Sequence, residues 1–191
     1  VDGMTGTAIL WMCLRRAGLR AGWTLPRRDG EGYGLSDASL ERCRTGGDVL
    51  GLPEGSDPCA RWVVSVDTGI TAGPQVARAR VRGLGVIITD HHLAGESFPT
   101  EAEVVLDPYQ EGCGYQNKGL CGAALAWKLG RALLEATGAD RESDPFRLLQ
   151  LVALGRMPAR AEIRRLCCRP RCRIRSWGRT RTEPAGVRSQ R

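Results

Sequence analysis

The chain's two histidines stand side by side in Thr89-Asp90-His91-His92, directly after the apolar run Val86-Ile87-Ile88. A short β-branched run that stops abruptly reads as a buried parallel strand. Ligands bind at the carboxyl edge of an open α/β sheet, and an acid followed by two imidazoles suits a ligand site at that edge. A second apolar run, Trp62-Val-Val-Ser-Val66, ends in Asp67. A lone terminal Asp would say little. Two strand ends carrying Asp67 and Asp90-His91-His92 bring carboxylates and imidazoles within reach of one metal site. A further acid, Asp2, lies in the Gly-containing stretch Val1-Asp-Gly-Met-Thr-Gly-Thr7, just before a helical pattern. Its carboxylate could hold a metal, and the backbone N–H groups around it an anion. Taken alone, an acid there is more often explained by the helix dipole.

The elements that must position these residues follow from periodicity. After Asp67 comes Gly69, then a helix over Gln75–Arg82 with Pro74 near its first turn, then Gly83 and a strand over 84–89. Such a strand–helix–strand unit implies a right-handed crossover and parallel pairing, which places Asp67 and Asp90-His91-His92 on one sheet edge. Another strand, Glu103–Leu106, leads into Asp107-Pro108. Leu10, Cys13 and Leu14 recur at helical spacing, with Thr5 or Thr7 as N-cap and Gly18 as stop. Gly22–Pro26 reads as a short strand. Arg27–Leu35 is a Gly-rich loop whose N–H and guanidinium groups could approach a phosphate. Ser36 opens a helix to Arg44, and 45–60 is loop. Leu125, Leu129, Leu133 and Leu134 mark a helix over 120–137 stopped by Gly138, and Asp144-Pro145 opens a last apolar helix.

At 42% hydrophobic and 26% charged residues, the composition is that of an ordinary soluble globular protein. No apolar run is long enough to span a membrane, and no signal segment opens the chain. The net charge of +7 misleads: residues 156–191 hold twelve of the 28 basic and two of the 21 acidic residues. The remainder is net acidic, so whole-chain charge does not argue for nucleic-acid binding. The eight cysteines contain no Cys-x-x-Cys pair, and Cys167-Cys-Arg-Pro-Arg-Cys172 lacks both zinc spacing and a fourth ligand. Cys13 and Cys121 fit small core positions, which favours a reducing compartment.

Four segments together resemble the DHH phosphoesterase superfamily, and within it the RecJ-like single-stranded-DNA exonucleases. They are Val1-Asp-Gly-Met-Thr-Gly-Thr-Ala8, Val66-Asp-Thr-Gly-Ile-Thr-Ala72, Thr89-Asp-His-His-Leu93, and Gly112-Cys-Gly-Tyr115 through Lys118-Gly-Leu-Cys-Gly-Ala123. Glu31-Gly-Tyr-Gly-Leu35 is also typical of RecJ-like members. The resemblance covers residues 1–155. It implies an α/β fold, an open, mainly parallel sheet with helices on both faces (a DHH domain), here expected to be incomplete at both ends. It matches Asp2 to the last acid of the motif Asp-x-Asp-x-Asp-Gly, Asp67 to a metal-bridging acid and His91 to a metal ligand. Asp90 matches the acid of the Asp-His-His motif, and His92 resembles the residue that contacts the scissile phosphate. Asp2, Asp67 and His91 are thus the expected metal ligands, and Asp90 and His92 the expected catalytic pair.

The family mechanism is two-metal hydrolysis of a phosphodiester with Mn²⁺ or Mg²⁺, acting on single-stranded DNA from its 5′ end. A fourth motif should follow Leu151-Val-Ala-Leu-Gly155, yet Arg156-Met-Pro-Ala-Arg-Ala-Glu162 stands there. Residues 156–191 are therefore expected to be a frame-shifted or disordered Arg/Cys-rich tail. The chain also opens on Val and directly on a motif, which predicts that two further motif acids and the strand bearing them precede Val1. Losing that strand would leave Val63–Val66 or its neighbour with an unpaired, aggregation-prone edge. The expectation is a partial DHH domain over 1–155, cytoplasmic and without membrane contact. It would hold at most one ion weakly and lack exonuclease turnover, with a monomer expected for the parent family. The alternatives are a non-catalytic nucleic-acid-binding module and a DHH phosphoesterase acting on short oligonucleotides or small nucleotides.

Overall fold

A computed structural model describes residues 1–32, 34–139 and 148–155, with Arg28 described by its backbone alone. All of these belong to the first of two units, Val1–Arg160. The tail over 156–191 lies outside the described residues.

Three strands form a parallel sheet in the order β1 (Trp62–Val66), β2 (Gly85–Thr89), β3 (Val104–Leu106). The register pairs Val63 with Val86, Ser65 with Ile88, and Ile88 with Val105. These five residues consequently share one face. α3 (Asp37–Thr45) and α4 (Gly73–Val81) cover it with Leu40, Val76 and Ala79. Val76 and Ile88 are fully buried, and each such side chain contributes about 1.5–3 kcal/mol relative to exposure. The opposite face meets α1 (Asp2–Arg16) and α5 (Gly122–Thr137). There Gly6 of α1 lies so close that an added Cβ would sit 2.7 Å from Val66 Cγ1 and 3.2 Å from Ala123 Cα. Further along, a Cβ on Gly130 of α5 would meet Cys13 Sγ at 2.5 Å. Small residues thus set the close approach of α1 and α5. Cys13 and Cys121 are buried, as core cysteines should be.

This is the expected α/β arrangement: a parallel open sheet with helices on both faces. Among the described residues β1 pairs on one side only, and a groove lined by Leu10, Trp11, Val63 and Val64 runs along that part of the chain.

Local differences from the sequence expectations have physical causes. α1 starts at Asp2, with Val1 as its N-cap. Thr5 and Thr7 are inside the helix, their hydroxyls donating back to Asp2 O at 2.9 Å and Gly3 O at 2.7 Å. The glycines at 3 and 6 are kept because the neighbours leave no room for a Cβ. The expected strand over Gly22–Pro26 is a single antiparallel bridge between Trp23 and Leu50. The Gly-rich loop contains a short helical turn, α2 (Arg28–Glu31). Ser36 caps α3 in a reciprocal pair with Ser39, and Gly138 ends α5 in the left-handed conformation, both as expected. The last helix is described only from Leu149 to Gly155, as α6. No helix among the described residues is long and apolar enough to cross a membrane.

Candidate metal centre

β1 and β2 end side by side, and their carboxyl ends carry the chemistry. The backbone N–H of Asp67 donates to Thr89 O at 2.9 Å, tying the exit of β1 to the last residue of β2. Thr89 Oγ1 in turn donates to Ser65 O at 2.6 Å, and Ser65 Oγ donates to Thr68 O at 2.7 Å. Held from both sides, Asp67 adopts φ 63°, in the left-handed region that non-glycine residues seldom occupy. Its carboxylate turns toward β2, and Oδ1 lies 2.8 Å from His91 Nε2.

Space for that carboxylate is made by two glycines. A Cβ on Gly122 would come within 2.5 Å of Asp67 Cβ and 2.8 Å of Oδ1, and one on Gly3 within 3.3 Å of Oδ2. Sequence reasoning missed both. The signal was present in Gly119–Gly122, where a glycine opens a helix without any turn to explain it.

Asp90 is 1% exposed. Its Oδ2 accepts from Ile70 N at 2.9 Å, and its Oδ1 from His91 N at 2.8 Å and faces His92 Nδ1 at 2.6 Å. A buried carboxylate needs such donors, and these three fix the turn after β2. The catalytic role expected of Asp90 becomes, in this geometry, the anchoring of both imidazoles. With its Nδ1 proton on Asp90, His92 keeps the Nε2 lone pair free. The His92 side chain is 59% exposed and that of His91 24%. The two rings lie 4.5 Å apart.

Asp67, His91 and His92 each offer a ligand atom, all within 4.8 Å of one another. Two imidazole nitrogens and one carboxylate oxygen form a mixed donor set that accepts divalent first-row metals, Mn²⁺ among them. His91 is held more basic than an ordinary histidine. Its hydrogen bond to Asp67 is the chief cause, burial opposes it, and the charges of Asp67, Asp2 and Asp90 add to it.

Asp2 is placed beside this group in a way the sequence did not suggest. Its Oδ1 accepts from Ala123 N at 2.7 Å and its Oδ2 from Gly122 N at 2.8 Å, while Oδ2 stands 3.5 Å from His91 Nε2.

At the end of β3, Asp107 is 5% exposed. Burial raises the basicity of its carboxylate, the N–H of Tyr109 opposes this, Asp90 raises it further, and His91 and His92 lower it. Oδ1 accepts from Tyr109 N at 2.7 Å, and buried Oδ2 has no hydrogen-bond partner among the described residues. The loop beyond it is closed by Lys118, whose Nζ donates to Cys113 O at 2.8 Å and to Pro108 O.

The Gly-rich loop expected to reach for phosphate is engaged elsewhere. Arg27 pairs with Asp48, and Glu31 with Arg42. Glu31 also accepts from Arg27 N at 3.1 Å. The Arg27 guanidinium is thus already partnered.

Comparison with known proteins agrees with this arrangement. The DHH family, N-terminal domain, matches residues 1–156. The chain is 36% identical over 163 residues to the single-stranded-DNA-specific exonuclease RecJ of Dickeya dadantii, covering 81% of this chain and 26% of that protein. With the RecJ of Bacillus subtilis it shares 33% identity over 154 residues, covering 81% and 17%. A crystal structure of exonuclease RecJ bound to manganese superposes with a TM-score of 0.63 at 29% identity, over 81% of this chain and 35% of that one. RecJ from Thermus thermophilus in complex with Mn²⁺ gives a TM-score of 0.55 at 26% identity, over 81% and 19%. The chain spans about a quarter or less of the length of these curated relatives.

Proposed function

This chain belongs to the DHH family, and from that premise we propose that it supplies the metal-holding part of a RecJ-like hydrolase of single-stranded DNA. The reaction is cleavage of phosphodiesters from the 5′ end. The observation that carries this reading is the convergence of Asp67, His91 and His92 at the carboxyl edge of a parallel sheet.

In this reading Asp67 and the two imidazoles hold a Mn²⁺ or Mg²⁺ ion. The bound cation lowers the pKa of water and offsets charge building on the phosphoryl oxygens. The chain's own residues do the rest. Asp67 offers a carboxylate whose position is fixed by its backbone bond to Thr89. Asp90 keeps His92 in the tautomer whose Nε2 faces outward, toward a ligand or the scissile phosphate. His91 must give up a proton before its Nε2 can bind a cation. The likeness to manganese-bound RecJ structures supports Mn²⁺ as the first ion to test. The five described cysteines are free, which suits a cytoplasmic setting.

Three ligands are one short of a closed tetrahedral site and fewer than the six that Mg²⁺ prefers. The 191-residue chain should therefore bind a single ion weakly and release no nucleotide. The check pairs electron paramagnetic resonance of free Mn²⁺ with an assay of 5′-labelled single-stranded DNA. The expected result is saturable binding of one Mn²⁺ without mononucleotide release. Absence of any Mn²⁺ binding would remove the metal reading, and robust 5′ degradation would overturn the expectation of an inactive chain.

A further inference from the structure

α5 is a 16-residue helix whose own N-terminus lacks a cap. Its N-cap residue, Cys121, makes no side-chain capping hydrogen bond, and its first turn holds no acid. The missing acceptors come from Asp2, about 120 residues away. Each of its carboxylate oxygens takes one of the first backbone N–H groups of α5, Gly122 N and Ala123 N, at 2.8 and 2.7 Å. The helix residue held most directly, Gly122, is also the one pressed against Asp67. The same Oδ2 that accepts from Gly122 is 3.5 Å from His91 Nε2.

We infer that Asp2 is a positioning residue of the metal centre: by capping α5 from a distant part of the chain, it holds Gly122 against Asp67 and so sets the Asp67–His91 pair. This deepens the metal reading of the same site and rests on it. An anionic cap on a helix N-terminus is favoured by charge as well as by hydrogen bonding. With both oxygens already accepting helix N–H groups, Asp2 acts on the centre through α5 and through its charge near His91. A residue that orients the ligands of a metal affects affinity without touching the metal.

A local cap separates this role from direct ligation. Cys121 has the extended backbone of an N-cap, φ −81° and ψ 163°. A serine there can accept from an N–H of the first turn. The comparison uses the full chain as wild type, Asp2→Ala, Cys121→Ser and the double variant. Two readouts are taken: Mn²⁺ affinity, and the metal-free amide resonances of Gly122 and Ala123 together with the His91 ring.

Asp2→Ala is expected to shift all three resonances and to weaken Mn²⁺ binding by roughly 10–100-fold, as loss of an orienting partner does. Adding Cys121→Ser should return the amide and ring resonances toward wild type and recover most of the affinity. If the amides recover while the affinity does not, Asp2 binds the ion directly and the inference is wrong. It is equally wrong if Asp2→Ala leaves the His91 ring unmoved. Should Asp2→Ala fail to fold, Asp2→Asn keeps one acceptor oxygen and carries the same comparison. If the wild-type chain binds no Mn²⁺, the metal reading fails, and the metal-free resonances still decide whether Asp2 sets the position of His91.

Discussion

Gly122→Ala is expected to destabilise the chain by about 1–3 kcal/mol, the usual cost of forcing a methyl into a packed site, and to weaken Mn²⁺ binding at least tenfold. Glycine to alanine inside a helix ordinarily gains about 0.5–1 kcal/mol, so the sign itself is diagnostic. The new Cβ would lie 2.5 Å from Asp67 Cβ and 2.8 Å from its Oδ1. Neither side can give way cheaply. Asp67 is pinned through its N–H to Thr89 and sits at φ 63°, and the start of α5 is held by Asp2. Relief therefore comes from swinging the Asp67 carboxylate away from His91. Urea denaturation gives the first number and Mn²⁺ titration the second. Lost stability with intact Mn²⁺ affinity would show that Asp67 is not a ligand.

His91→Ala should lower Mn²⁺ affinity by more than about a hundredfold, beyond the roughly 10–100-fold expected for residues that only orient ligands. The same residue gives the centre a distinctive pH response. His91 titrates above the ordinary histidine value of 6.5, chiefly through its bond to Asp67. In the metal-free chain the folded state binds that proton more tightly than the unfolded state does. The resulting stability is fully present below the unfolded pKa and is lost as pH rises through the higher folded one. Mn²⁺ competes with that proton, so its affinity rises over the same window. Unfolding curves without metal and Mn²⁺ titrations should thus slope in opposite directions with pH. His91→Ala should flatten both. Parallel slopes, or a slope surviving the substitution, would assign the titration to another group.

What could be read from the sequence was local. Trp62–Val66 and the run to Thr89 announce themselves by β-branched composition, and the helix between them forces the parallel pairing that brings Asp67 to Asp90-His91-His92. Gly138 and Ser36 behave as stop and cap because their effects are confined to one turn. What escaped depends on contacts between distant parts of the chain. Nothing near Asp2 says that its partners are N–H groups of residues 122 and 123. Nothing near Gly122 says that Asp67 fills the space of its absent side chain. Asp90 looked catalytic because acids at strand ends often are, and only its burial and three donors identify it as the anchor of the turn. The Trp23 segment looked like a strand, yet it makes one bridge, because a strand exists only where a neighbour extends the pairing.

The backbone of Asp67 carries one more consequence, for the energetic relation between the fold and its ion. A non-glycine residue in the left-handed region costs on the order of 1–3 kcal/mol, and aspartate lies at the tolerant end of that range. Glycine would remove this cost together with the carboxylate. In a thermal-shift experiment without metal, Asp67→Gly should melt at or above the wild-type temperature. In saturating Mn²⁺ the order should reverse, because only the wild type gains from mass-action binding. The residue that weakens the empty protein is then the one through which the ion stabilises it, and selection for thermal stability alone would erode the site at Asp67 first.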